Sequence, residues 1–288
     1  MTVPTPSPDD RPVAIVTGAN SGIGLYTATA LAERGYQVVL AVRNVERGRI
    51  AMERIADAVP DAELQQVRLD LSSLRSIKEC AAELLTSVPA WDVLVNDAAA
   101  KLVPERLLTE DGFEWNFGVN FLGHFALSGL LVPGASDQAR IVNVTSLSAR
   151  NAKIRFHDLR WDNGYRPGKA YAMSKYAQLI FSRELNRRCR DERDSAYPSS
   201  LRSIAAHPGR GLPPVGRRRR PSSRYTGPDS IVFAATDPGL IGGELIGPSD
   251  RNQLQGAPAA VRPPAIPDEG VTALRLWRIA AQLTRVPW

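Results

Sequence analysis

Between residues 12 and 206 the chain alternates short apolar runs with longer stretches of helical periodicity. Val13-Ala14-Ile15-Val16-Thr17 is uninterrupted by charge, the pattern of a strand buried on both faces. Leu25–Arg34 reads as a helix with Gly35 as its stop. Gln37–Val42 is a second buried strand, and Val45–Val59 a helix that ends before Pro60. The pattern then predicts a strand over Leu64–Leu71, a helix over Ser73–Leu85 with Ser72 or Ser73 as cap, and a strand at Val93–Val95. A long helix over Phe113–Leu131, a strand at Ile141–Val144, a helix over Pro167–Arg190 and a strand at Leu201–Ala206 complete the series. Strands separated by helices give right-handed βαβ units. The expected fold is therefore α/β, a doubly wound parallel sheet of Rossmann type in three α/β/α layers.

After residue 206 the texture changes. Residues 208–230 are rich in Pro, Gly, Arg and Ser and read as a loop. A short helix is expected over Pro228–Thr236 and a last strand within Gly242–Gly247. Asp268–Thr284 reads as a terminal amphipathic helix, with Val271, Leu274, Trp277, Ile279, Ala280 and Leu283 at apolar positions. Residues 1–11 are expected to be a flexible N-terminus, residues 12–288 one domain, and residues 210–227 a substrate lid loop.

Composition narrows the class. The 288 residues are 43% hydrophobic and 23% charged, average for a soluble globular chain. No uninterrupted apolar run approaches the ~18 residues of a membrane span, and Met1–Asp10 lacks the basic and apolar regions of a signal peptide, so a cytoplasmic protein is expected. Thirty-six Lys and Arg against 30 Asp and Glu give a charge of +6. The basic residues are scattered apart from Arg217–Arg220, which argues against nucleic acid as a partner. Cys80 and Cys189 suit free thiols in a reducing compartment; with His124, His157 and His207 they show no metal-ligand spacing, so no metal is expected.

The first strand runs into Thr17-Gly18-Ala19-Asn20-Ser21-Gly22-Ile23-Gly24 and then a helix. Glycines there permit positive φ and close backbone approach, and a helix N-terminus offers free N–H groups to a pyrophosphate. Tyr171 and Lys175 stand four apart on a helix and share a face. An ammonium beside a phenol lowers its pKa from about 10 and fits it for proton transfer near neutral pH. Ser146 follows the fifth strand, where strand ends meet ligand in such sheets; Thr145 and Ser148 have similar chemistry nearby. Arg43, at the end of the second strand, stands where an NAD-preferring site usually puts a carboxylate. A guanidinium there suits a 2′-phosphate; the alternative is a plain surface arginine.

Taken in order, the motifs resemble the short-chain dehydrogenases/reductases, most of all their retinol-dehydrogenase and WW-domain-oxidoreductase branch. The residues that carry the likeness are the Gly18–Gly24 turn, Ala41-Val42-Arg43-Asn44, Asp70-Leu71, Asn96-Asp97-Ala98-Ala99, the Phe117–Phe125 segment around Asn120, Ser146, Tyr171-Ala172-Met173-Ser174-Lys175 and His207-Pro208-Gly209. The resemblance implies catalysis by Asn120, Ser146, Tyr171 and Lys175. It implies that NADP(H) is held by Gly18, Asn20, Ser21, Gly22, Ile23, Gly24, Arg43, Asn44, Asp70, Leu71, Asn96, Ala98, Tyr171, Lys175, Pro208 and Gly209. In this family Asp70 would meet the adenine, and Asn120 would position a water that relays protons through Lys175.

The implied activity is hydride transfer between NADP(H) and a small-molecule carbonyl or alcohol, with ketone reduction in secondary metabolism as one setting. A redox-neutral cyclase or dehydratase on the same fold is the alternative, and a homodimer or homotetramer is compatible with the resemblance. A cofactor sensor would not need the full Ser/Tyr/Lys set. A light-driven reductase of the protochlorophyllide type would carry Cys where Tyr176 stands. The chain also departs from the family: Asp97 replaces Asn, Ala99 replaces Gly, and Arg210-Gly211-Leu212 replaces the V-x-T that follows Pro-Gly.

Overall fold

The computed structural model describes residues 11–88, 90–191, 198–209, 228–286 and 288. The N-terminal segment expected to be flexible (apart from Arg11), the lid at 210–227 and the Arg217–Arg220 cluster lie outside the described residues.

The strands are β1 (Val13–Thr17), β2 (Gln37–Val42), β3 (Leu64–Arg68), β4 (Trp91–Asn96), β5 (Ala135–Val144), β6 (Arg202–Ala206), β7 (Leu245–Pro248) and β8 (Pro258–Ala260). They form one sheet in the order β3-β2-β1-β4-β5-β6-β7-β8, parallel except for β8, which runs antiparallel to β7. The helices are α1 (Gly22–Ala32), α2 (Val45–Ala58), α3 (Leu74–Ser87), α4 (Trp115–Phe117), α5 (Gly123–Leu131), α6 (Pro167–Cys189), α7 (Asp229–Thr236) and α8 (Glu269–Thr284). This is the doubly wound α/β fold expected from the strand and helix pattern.

Each face of the sheet carries its own core. On one face Val16, Leu40, Ile55 and Ile231 pack α1, α2 and α7 against the strands. On the other, Ile15, Ile77, Phe121, Phe181 and Trp277 join α3, α5, α6 and α8. Phe125, Phe181, Trp277 and Trp288 form an aromatic knot with centroid separations between 4.9 and 5.8 Å, in the range where tilted and edge-on rings attract. The segment Trp115–Gly134 has the length and hydropathy to cross a membrane, yet it is a core helix here, with two thirds of it buried.

Several expected boundaries shift. The third strand stops at Arg68, so Asp70 and Leu71 lie in the loop beyond it. The helix expected over Phe113–Leu131 starts at Trp115 and is interrupted by a π-helical turn, Gly118–Leu122. The last strand is a pair, β7 and β8, starting at Leu245 rather than Gly242. On α8, Trp277 and Ala280 are buried as expected, whereas Val271 is 70% exposed and Leu283 is on the surface, because α8 buries only the stripe facing α5 and α6.

α2 starts at a cap that also shapes the cleft described next. Asn44 is extended, and its Oδ1 accepts from the Arg47 N–H at 2.9 Å. Asn44→Ala should lower stability by about 1 kcal/mol, as loss of an N-cap does. Denaturant unfolding monitors this; an unchanged midpoint would show that solvent replaces the cap without loss.

Candidate active site

The strand order reverses direction between β1 and β4, and a cleft of about 770 Å³ opens at their carboxyl ends. Its floor is the glycine turn. Gly18 has φ +70° and donates to the Ala41 carbonyl at 2.9 Å; a Cβ there would come within 2.9 Å of the Ala98 Cα. The Thr17 hydroxyl oxygen accepts from the Asp97 and Ala98 N–H groups, at 3.0 Å each, and so ties the end of β1 to the segment after β4. Ser21, the N-cap of α1, makes no side-chain cap, and the first turn of α1 contains no acidic residue. The positive end of an 11-residue helix therefore faces the cleft.

Most of the residues proposed for a dinucleotide line this one cleft: Gly18, Asn20, Ser21, Gly22 and Ile23 at the turn, Arg43 and Asn44 after β2, and Asp70 and Leu71 after β3. Ala98, Tyr171, Lys175, Pro208 and Gly209 complete the set. Gly24 sits beneath it, with no room for a Cβ between the Gly18 carbonyl oxygen at 2.5 Å and Asp97 Oδ2 at 2.9 Å. The Asp70 carboxylate accepts from the Ser72 N–H and hydroxyl, a local turn cap that still leaves the residue on the cleft wall. Pro208 and Gly209 are set by His207, whose ring contacts the Gln253 side chain at 3.0 Å and accepts from the Gly209 N–H at 3.2 Å.

Two asparagines on the expected set do not present side chains to the cleft. Asn96 bonds Ser128 and Asn143 in the core, at 3.0 Å each. Asn120 is fully buried; its amide holds both the N–H and the carbonyl of Ala100 and donates to the Ser174 hydroxyl at 2.9 Å. Its carbonyl oxygen meets His124 Nδ1 at 3.0 Å. Asn120 therefore braces the loop that follows β4.

The chemistry converges on α6. Pro167 opens this helix, where its missing N–H costs nothing. Tyr171 and Lys175, one turn apart, both reach the cleft, as does Ser146 at the end of β5. Ser146 is close enough to the Tyr171 phenol to favour its ionised form. Of its neighbours, Thr145 is buried with its hydroxyl donated to the Lys175 carbonyl at 2.7 Å, and Ser148 points outward, its N–H donating to Ser146 Oγ at 3.3 Å. Position thus singles out Ser146. The Lys175 ammonium donates to the Val144 carbonyl at 2.7 Å and to Gln178 Oε1 at 3.0 Å, and burial lowers its pKa.

The expected lowering of the Tyr171 pKa is not what the site shows. Burial raises it, with Ser146 opposing and Asp97 adding to the rise. Lys175 spends its charge on Val144 and Gln178 rather than on the phenol.

Sequence reasoning missed Arg47, Lys101, Trp115 and Val119, which also line the cleft. Arg47 could have been found: it lies one turn into the helix that Asn44 caps, on the side of Arg43. Trp115 and Val119 had no local signal: Trp115 opens α4 and Val119 lies in the π-turn that follows it.

The geometry agrees with comparisons to known proteins. The family model for short chain dehydrogenases matches residues 12–193. Over 206 residues the chain is 41% identical to mouse retinol dehydrogenase 13, covering 70% of this chain but only 59% of that one. It is 34% identical over 285 residues to bovine retinol dehydrogenase 12, covering 96% and 87% of the two chains. The crystal structure of an uncharacterized protein from Mycobacterium paratuberculosis superposes with a TM-score of 0.80 at 34% identity, over 97% of this chain and 98% of that one. The chain belongs to the short-chain dehydrogenase/reductase family of oxidoreductases, in its retinol-dehydrogenase-like branch.

Proposed function

We propose that the protein is an NADP(H)-dependent oxidoreductase acting on a carbonyl or alcohol group of a small molecule. The observation that carries this reading is the convergence of Ser146, Tyr171 and Lys175 on the cleft that Arg43 and Arg47 also line. The residues fit a dinucleotide: the glycine turn admits close backbone approach, the α1 amides face the pyrophosphate position, and two guanidiniums flank the place of a 2′-phosphate. A bound nicotinamide would supply or accept the hydride.

The chain's own residues do the rest. Ser146 and Tyr171 donate hydrogen bonds to the carbonyl oxygen where negative charge grows during reduction. The raised Tyr171 pKa keeps the phenol protonated at neutral pH, so it can deliver the proton to that oxygen. Lys175, held by Val144 and Gln178 one turn along α6 from Tyr171, adds a cation to the same cleft. Trp115 and Val119 give the cleft an apolar wall, suited to a substrate with an apolar body. That preference is in keeping with relatives named as retinol dehydrogenases.

The test follows nicotinamide absorbance with NADPH and a panel of ketones and apolar aldehydes, retinaldehyde among them. Substrate-dependent NADPH consumption is expected. Substrate conversion with no change in nicotinamide redox state would instead establish the redox-neutral alternative. Ser146→Ala in the same assay should reduce kcat about 10²-fold, the usual cost of one donor to a growing oxyanion; a change below threefold would remove Ser146 from the chemistry.

A further inference from the structure

Asp97 is the ionisable group on the cleft floor that the proposed reaction does not use. Its backbone N–H is fixed by Thr17, and its carboxylate lies against the start of α1, with Oδ2 2.9 Å from where a Gly24 Cβ would stand. The carboxylate thus occupies part of the α1 N-terminus, the same positive end that faces the pyrophosphate position. We propose that Asp97 is a proton-linked gate on dinucleotide binding: the carboxylate is charged in the free protein and takes up one proton from solvent when a dinucleotide pyrophosphate settles on the glycine turn. The proposal rests on the nicotinamide-cofactor reading above.

The argument is Coulombic. A pyrophosphate brings two negative charges to an end already holding one and excludes the water that screens them. Protonating Asp97 removes that repulsion and leaves a neutral acid in place. The cations available to hold Asp97 ionised are few. Lys175 faces it from α6, and Lys101 from the loop after β4. Tyr171 on α6 is a neutral phenol at physiological pH. His124, beneath Thr17, is held neutral by burial, its pKa lowered to about 3. The glycine turn and α1 add no charge, and Arg43, Arg47 and Asp70 line the cleft from the segments after β2 and β3. Burial already raises Asp97 to about 6, so little more is needed to protonate it near neutrality.

The sign follows from linkage. Raising the Asp97 pKa in the bound state means that binding takes up a proton, so affinity falls as pH rises. NADH is the probe of choice, because the 2′-phosphate of NADPH itself titrates near pH ~6 and would add a slope of its own. For the wild type, Kd for NADH should rise about tenfold from pH 6 to pH 8, within the ordinary range of site coupling. Calorimetry at neutral pH in two buffers of different ionisation enthalpy should show net proton uptake. Asp97→Asn, nearly isosteric, should bind NADH with a Kd constant within twofold over that range. It should bind about tenfold more tightly than wild type at pH 8 and take up no proton. A flat wild-type profile without proton uptake would overturn the gate while leaving the cofactor reading intact. The same slope in Asp97→Asn would transfer the proton to another group and overturn it equally. NADH and NADPH both failing to bind either protein at any pH would overturn the cofactor reading, and the gate with it.

Discussion

Tyr171→Phe is expected to lower turnover by about 10²–10⁴-fold, the usual contribution of a positioned general acid. The substitution removes only the hydroxyl. The ring stays packed on α6, so the unfolding midpoint and NADPH affinity should stay close to wild type. In the folded site the Lys175 contacts to Val144 and Gln178 survive. Turnover with the substrate found in the NADPH assay is the measurement. A variant keeping more than a tenth of the wild-type rate would show that the proton comes from elsewhere. Loss of NADPH binding would show that the phenol holds the cofactor rather than the reacting oxygen.

Arg43→Asp should weaken NADPH binding by about one to two decades and leave NADH far less affected. Charge-assisted contacts to phosphate contribute roughly 1.5–3 kcal/mol, and the carboxylate introduces repulsion. Arg43 is exposed, so the preference should shrink as salt rises. Arg47 stands beside it, which predicts that Arg43→Ala retains part of the preference and that the double replacement abolishes it. Equal wild-type affinities for NADPH and NADH would end the assignment of this corner to a 2′-phosphate. Both titrations belong at one pH, since the Asp97 gate moves both affinities together.

How far the chain could be read depended on what each segment buries. β1 and β2 are nearly continuous apolar runs because helices cover both faces, and their limits, like those of β6, were legible to within a residue. The first half of β5, Ala135–Arg140, is polar, and it pairs only because Trp91 and Val93 of β4 lie beside it. β8 has three residues and begins with proline; no alternation marks it, and β7 alone defines it. In the site, glycines, Ser146, Tyr171 and Lys175 were legible because their chemistry requires those residue types at those places. Asn120 was not: its role in bracing Ala100 depends on a π-turn and on Ser174, 54 residues away, which no local pattern encodes.

The position of β1 inside the sheet, between β2 and β4, carries a consequence for how the molecule is made. β1 can pair with β2 soon after both are synthesised, but its other edge stays open until β4 arrives some eighty residues later. Only then do Asp97 and Ala98 reach the Thr17 hydroxyl and close the space over Gly18. The nucleotide floor is thus a joint between two halves of the chain, and it is absent from any intermediate in which those halves have not docked. A dinucleotide therefore selects the completed sheet, stabilises it by mass action, and offers no help to the nascent chain before that long-range closure.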